Sequence, residues 1–205
     1  MKLQKRLLAT LLLVACIFPA FSQFRWGPTV GANFSTYKFK QKLISVDQSV
    51  GFNAGVVSEI MFPGIGIGMD FGLQYDMHGA KLHLGEKEVW AADGFGNEQS
   101  YLHTIQVPIN LRFKYTRLNG VEEKIAPFVY GGPIFSLTVA HSDVKALEYS
   151  GGCVMLQCGI GAEILRHYQI SAGYCWGMTY ETRTLKLDNF SARSRGWKVG
   201  LTYLF

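Results

Sequence analysis

Eight ionisable residues fall on the more polar side of alternating stretches: Arg25, Glu59, Asp70, Asp76, Arg112, Lys114, Glu163 and Lys198. On an extended chain, residues two apart point the same way. Each stretch therefore sets its charges opposite its apolar residues. If those faces converge on a closed interior, charges of both signs share a narrow space. An unpaired ion there is costly, so paired networks are expected. Such a set could gate a path or relay protons. It could equally be an ion-paired filling that seals the interior. About eight strands enclose only enough space for side chains, which favours the filling over a conducting pore.

Other chemistry-bearing residues point less clearly to a site. The glycines of Gly64-Ile65-Gly66-Ile67-Gly68 and Gly159-Ile160-Gly161 lack the spacing of a phosphate-binding loop and open no helix. At every second position, they form one face of a strand. The histidines are His78, His83, His103, His141 and His167, and none has metal-site spacing. His78 and His83 share the longest connector with Glu86, Glu88 and Asp93, a set that could bind a metal weakly, but a solvated loop is the expectation. Cys158 and Cys175 fall on opposite faces of neighbouring strands, which prevents a bridge without distortion. His141, Ser142 and Asp143, with Asp188, Ser191 and Arg193, would lie at one mouth of a barrel. No nucleophile–base spacing can be read from them, so no catalysis, cofactor or metal is expected.

The elements that would carry these residues are strands. Period-2 alternation is cleanest from Tyr101 to Tyr115, where Tyr101, His103, Ile105, Val107, Ile109, Leu111 and Phe113 share one face. Similar alternation marks Phe24–Tyr37, Gly64–Met77, Gly152–Leu165, His167–Thr179 and Gly196–Phe205. Gly51–Phe62 and Ile125–Ala140 alternate less cleanly. These make eight strands. Phe62-Pro63-Gly64 and Leu165-Arg166-His167 are tight turns, and 116–124 is moderate. The other connectors, 38–50, 78–100, 141–150 and 181–194, are polar and mostly longer. Short turns at one end and long loops at the other describe an all-β, eight-stranded, antiparallel up-and-down transmembrane β-barrel. An even strand count places both termini on the short-turn side. Pro28, Pro108 and Pro133 lie inside proposed strands, and each requires a bulge or a strand end.

Composition agrees. Of 205 residues, 48% are hydrophobic and 17% charged, with 23 glycines and 14% aromatics. Residues 1–22 read as a signal peptide: Lys2, Lys5 and Arg6, an apolar run Leu7 to Phe18, then Ala20-Phe21-Ser22 before Gln23. Leu13-Val14-Ala15-Cys16 offers a competing lipoprotein pattern that would lipidate Cys16. Residues 23–205 then form one barrel domain. Without the three N-terminal cations the chain carries 17 basic against 15 acidic side chains, so its pI of 9.0 is no argument for nucleic acid.

Alternation alone does not say whether the apolar faces point out to lipid or inward, but three features favour lipid. The polar faces are rich in glycine. Aromatics stand at two levels, with Trp26, Tyr115, Tyr168 and Tyr203 at one and Tyr75, Tyr101, Trp176 and Trp197 at the other. The final strand ends in Phe205. The stretches Gly27-Pro28-Thr29-Val30-Gly31-Ala32-Asn33-Phe34-Ser35, Ile105-Gln106-Val107-Pro108-Ile109-Asn110-Leu111-Arg112-Phe113-Lys114-Tyr115 and Ala126-Pro127-Phe128-Val129-Tyr130-Gly131-Gly132-Pro133 resemble the outer-membrane β-barrel proteins of Bacteroidota called PorT-like. The resemblance covers nearly the whole mature chain. It implies export to the cell outer membrane, contact with outer-membrane lipid, and assembly through a C-terminal strand ending at Phe205. It transfers no activity. The expected role is structural, accessory or partner-binding, with a protein partner at loops 78–100 or 116–124. The alternatives are a barrel enzyme acting on lipid or surface polymer, and a soluble lipocalin-like barrel with its apolar face inward.

Overall fold

The structure, a computed structural model, describes residues 23–40, 44–62, 66–86, 88–92, 94, 96–115, 124–142, 144, 147–184 and 191–205. Residues 1–22, which the sequence reads as a signal peptide, and residues 116–123 lie outside the described residues. Eight long strands form the wall: β1 (Gln23–Phe39), β2 (Ser45–Met61), β3 (Ile67–His83), β4 (Asn97–Lys114), β5 (Ile125–His141), β7 (Gly152–Ile164), β8 (Tyr168–Gly177) and β10 (Ser191–Tyr203). Each pairs antiparallel with the next, and β1 pairs with β10 to close the barrel. Closure leaves no long free edge, which is what lets a β-structure cross hydrocarbon with its backbone satisfied. Two three-residue strands, β6 (Leu147–Tyr149) and β9 (Thr182–Thr184), pair with each other beside the outer end of β10.

The wall reverses the polarity of a water-soluble barrel. Val30, Leu73, Leu111, Leu137 and Ile160 point outward and are more than half exposed in every case, up to 66% for Ile160. Glu59, Asp70, Asp76, Arg112 and Lys114 point inward and are buried. Only a lipid exterior makes that arrangement favourable. The soluble lipocalin-like alternative required the apolar faces inward, and they are not. Trp26 packs on Phe205, and Tyr168 on Tyr203, at the end where both barrel termini lie; Tyr174 packs on Trp176 and Trp197 nearer the other. These are two rim-level aromatic groups of the kind expected at bilayer interfaces.

The three strand prolines are accommodated differently from the sequence expectation. No bulge forms at any of them. The β3–β4 register runs to Phe71↔Ile109 and resumes at Gln74↔Gln106, leaving a gap beside Pro108. The β4–β5 ladder likewise lacks rungs between Pro108↔Ile134 and Leu111↔Gly131, at Pro133, with the register unchanged. Regular β1–β10 pairing stops at Thr29↔Thr202, next to Pro28, yet Phe205 N still donates to Trp26 O at 2.9 Å. A missing N–H removes a rung, and the neighbouring rungs hold the register. At the β7–β8 turn, Leu165 and Arg166 adopt φ of 52° and 62°, the left-handed pair that a tight hairpin requires.

The loops are shorter than the alternation implied, because strands continue past the apolar belt. The segment 78–100 is not one loop. It comprises the end of β3, a 3-10 turn (Leu84–Glu86), a helical turn (Glu88–Ala91) and the start of β4. Strand β3 has 17 residues, whereas about 9–11 tilted residues cross the hydrocarbon. Above the belt the polarity flips. Tyr37, Phe39, Ala80, Leu82, Leu84, Leu102, Val144, Leu147 and Ala192 point inward and pack into a buried apolar core. Outside the membrane the wall faces water, so the ordinary rule of apolar inside returns.

Candidate functional site

The interior is built from the inward parity of each strand, stacked in levels. At the short-turn end, Glu59 of β2 is the hub. Arg112 Nη1 donates to Glu59 Oε2 at 2.7 Å, Lys114 Nζ to Glu59 Oε1 at 2.9 Å, and Arg25 Nη2 also reaches Glu59 Oε1. Glu163 of β7 accepts from Lys114 Nζ at 2.6 Å and from Arg25 Nη2 at 2.6 Å. Arg112 Nε donates to Asp70 Oδ2 at 2.8 Å, and its guanidinium lies 4.1 Å from the centre of the Phe128 ring. Gln169 of β8 joins the two acids, donating to Glu59 Oε2 at 2.7 Å and Glu163 Oε2 at 2.8 Å. Three cations thus meet three carboxylates in a buried, charge-balanced network. Such a set tolerates burial only because each ion has partners.

Above this level lies a polar cavity of about 90 Å³, lined in part by Asn53, Gln74, Asn110, Tyr130 and Gln157. It has room for a few water molecules and polar groups to hold them. Gln157 Nε2 donates to Asn110 Oδ1 at 2.8 Å across it.

A second network closes the cavity from the outer side. Lys198 Nζ donates to Asp76 Oδ1 at 2.8 Å and to Gln106 Oε1 at 2.7 Å. Asn33 Nδ2 donates to the same Asp76 oxygen at 2.8 Å. His78 Nδ1 lies 2.6 Å from Asp76 Oδ2, and its Nε2 lies 2.9 Å from Glu181 Oε1. Cys153 Sγ donates to that Glu181 oxygen at 3.4 Å. The apolar core of Leu82, Leu84 and Leu102 lies beyond, toward the outer end.

The eight sequence candidates therefore occupy two levels rather than one. Arg25, Glu59, Asp70, Arg112, Lys114 and Glu163 meet at the short-turn end; Asp76 and Lys198 meet nearer the outer end. The sequence reading missed His78 and Glu181. His78 was expected in a solvated loop, but β3 carries it inward, where it is 3% exposed. Its position two residues after Asp76 was the available signal.

The mouth residues do not form a catalytic arrangement among the described residues. Ser142 Oγ accepts from Tyr101 N at 2.8 Å and serves the backbone there. His141 stacks on Tyr149 with ring centres 4.3 Å apart. Asp143 and Asp188 lie outside the described residues. Arg193 stands 4.7 Å from the centre of the Tyr180 ring, and its hydrogen bond holds that exposed phenol below the usual tyrosine range. Cys153, Cys158 and Cys175 are free thiols. No group of three or more His, Cys, Asp or Glu residues placed to hold a metal occurs among the described residues.

A family model described as "Outer membrane protein beta-barrel domain" matches residues 15–183. No curated protein matches the chain. Among solved structures, a major outer membrane protein from Thermus thermophilus is similar at 13% identity, covering 89% of this chain and 99% of that one, with a TM-score of 0.49. OprG from Pseudomonas aeruginosa is similar at 13% identity over 89% and 94% of the two chains, TM-score 0.48. Ail from Yersinia pestis is similar at 15% identity over 89% and 99%, TM-score 0.45.

Proposed function

Because the chain belongs to the family of outer membrane protein beta-barrel domains, we propose that it is a sealed integral barrel with a structural, accessory or partner-binding role and no catalysis. One observation carries this reading. The lumen is crossed by two ion-paired networks and then by an apolar core, with a cavity of only about 90 Å³ between the networks. A hydrated ion has no continuous path through such a stack. The motifs quoted above support placing the barrel in the PorT-like branch of Bacteroidota, exported by a signal peptide over residues 1–22. The β1–β10 seam, where Phe205 N bonds Trp26 O, supports recognition of the last strand by the outer-membrane assembly machinery. Our reading puts a protein partner at loop 78–100 or at loop 116–124.

Conductance across planar lipid bilayers tests the reading. Purified, heat-modifiable protein is expected to insert without stepwise current. Steady ionic current from the folded wild-type barrel would overturn it and make the charged interior a conduction path.

A further inference from the structure

The wall is lopsided. Strands β1 to β5 have 17 or 18 residues, but β7 has 13 and β8 only 10. Where the wall drops, the outward face carries an open apolar groove of about 540 Å³, lined by Val107, Phe135, Leu137, Val154 and Tyr180 among others. Beyond Tyr180, at the same end of the barrel, lies a cationic strip. Lys38 of β1 is directly opposite Arg193 of β10, and Arg195 is one outward step below, opposite Thr36. Lys40 continues the strip, its N–H bonded to Ser191 O at 3.1 Å. Like charges directly opposite across a strand pair repel. Among the described residues none of the four cations has an ion-pair partner. Asp47 on β2 is 3.0 Å from His83, and Glu148 is opposite Arg183. Outward Trp176 stands opposite Arg195, and outward Trp197 is one step below it; the two indoles mark the bilayer interface. The cations are thus at the headgroup level of the outer leaflet. Tyr180 joins the two parts, lining the groove and meeting Arg193 on its ring face. Hydrogen bonds from Arg193 and Ser191 hold the Tyr180 phenol below the usual tyrosine range.

We propose that this rim binds one anionic lipid of the outer leaflet, its phosphate held by Lys38, Lys40, Arg193 and Arg195 and an acyl chain lying in the groove beside Tyr180. The charges supply what the groove lacks, a reason for one lipid class to be held over another. The groove supplies what a surface charge strip lacks, a shaped apolar seat. The proposal rests on the outward orientation of the long-loop end and not on a sealed lumen, so a conducting barrel would leave it intact.

The test is native mass spectrometry of the full barrel released from detergent, with diphosphorylated lipid A as the probe. Wild-type protein is expected to retain one lipid A molecule. Retention should fall at least about tenfold with the dephosphorylated glycolipid, and by a similar factor for Lys38→Gln/Arg193→Gln. Val154→Trp, which fills the groove, should weaken lipid A while leaving any binding of inorganic phosphate unchanged. Equal retention of the phosphorylated and dephosphorylated forms, or no retention by wild type, would overturn the site. So would full retention by the double variant. If that variant does not fold, an approximately tenfold rise in salt on the wild type replaces it, because exposed charge contacts are screened. Unchanged retention in high salt would then count against the proposal.

Discussion

Replacing Glu59 by Gln isolates the short-turn network. The amide has nearly the shape of the carboxylate, so the packing of β2 against its neighbours stays. What changes is charge. Arg25, Arg112 and Lys114 would then face only Asp70 and Glu163, leaving one buried positive charge in excess. Lys114 Nζ and Arg112 Nη1 would each lose a charge-assisted bond, at 2.9 and 2.7 Å, to a side chain only 2% exposed. Removing one partner of a buried ion pair costs about 3–5 kcal/mol. That is roughly a hundred- to several-thousand-fold in the folded-to-unfolded ratio. Denaturant titration of the barrel in phospholipid vesicles, followed by tryptophan fluorescence, reads it directly. Lys114→Met placed on top restores the balance, so the double variant should be less destabilised than the sum of the singles by at least about 1 kcal/mol. A Glu59→Gln variant within about 0.5 kcal/mol of wild type, or strict additivity in the cycle, would refute the reasoning. Either result would mean that water, rather than protein, satisfies these ions.

Four further outcomes are expected. Ile160→Arg, on the exposed outer face, should cost about 2–4 kcal/mol in vesicles, where a soluble protein would tolerate it; vesicle refolding titrations measure this. Leu102→Ala, in the outer apolar core with no exposure, should cost about 2–5 kcal/mol in the same titration. Gly27→Ala should abolish the heat-modifiable gel band, because a Cβ at Gly27 would overlap the Tyr203 carbonyl at the β1–β10 seam. Arg193→Gln should return the Tyr180 phenol upward toward its ordinary range, seen as the loss of the lowest-pH step in ultraviolet difference titration against Tyr180→Phe.

Much of the barrel is legible from the chain alone, since alternation is a local property. Which residues of β4 face in or out follows from counting by two along Tyr101–Tyr115, and the structure buries Gln106, Asn110, Arg112 and Lys114 as that count requires. The inward charges could likewise be named. Their partners could not, because a residue's height in a barrel depends on the stagger between strands. Arg25 stands opposite Glu59, and Asp70 in turn opposite Glu59, only through the β1–β2 and β2–β3 registers. The same stagger puts Asp76 and Lys198 on a separate level with His78 and Glu181.

The outer ends of the strands fail for a different reason. From Asp76 onward the inward positions of β3 read Asp76, His78, Ala80, Leu82, and the outward ones Met77, Gly79, Lys81, His83. The period of two never stops; its sign reverses. A rule equating apolar with outward ends the strand at Met77, which is where the expected loop began. The chain determines that it alternates and where each side chain sits relative to its neighbours. Only the closed tertiary structure decides which alternating stretch stands in lipid and which stands in water, because the favourable face depends on the solvent outside the wall.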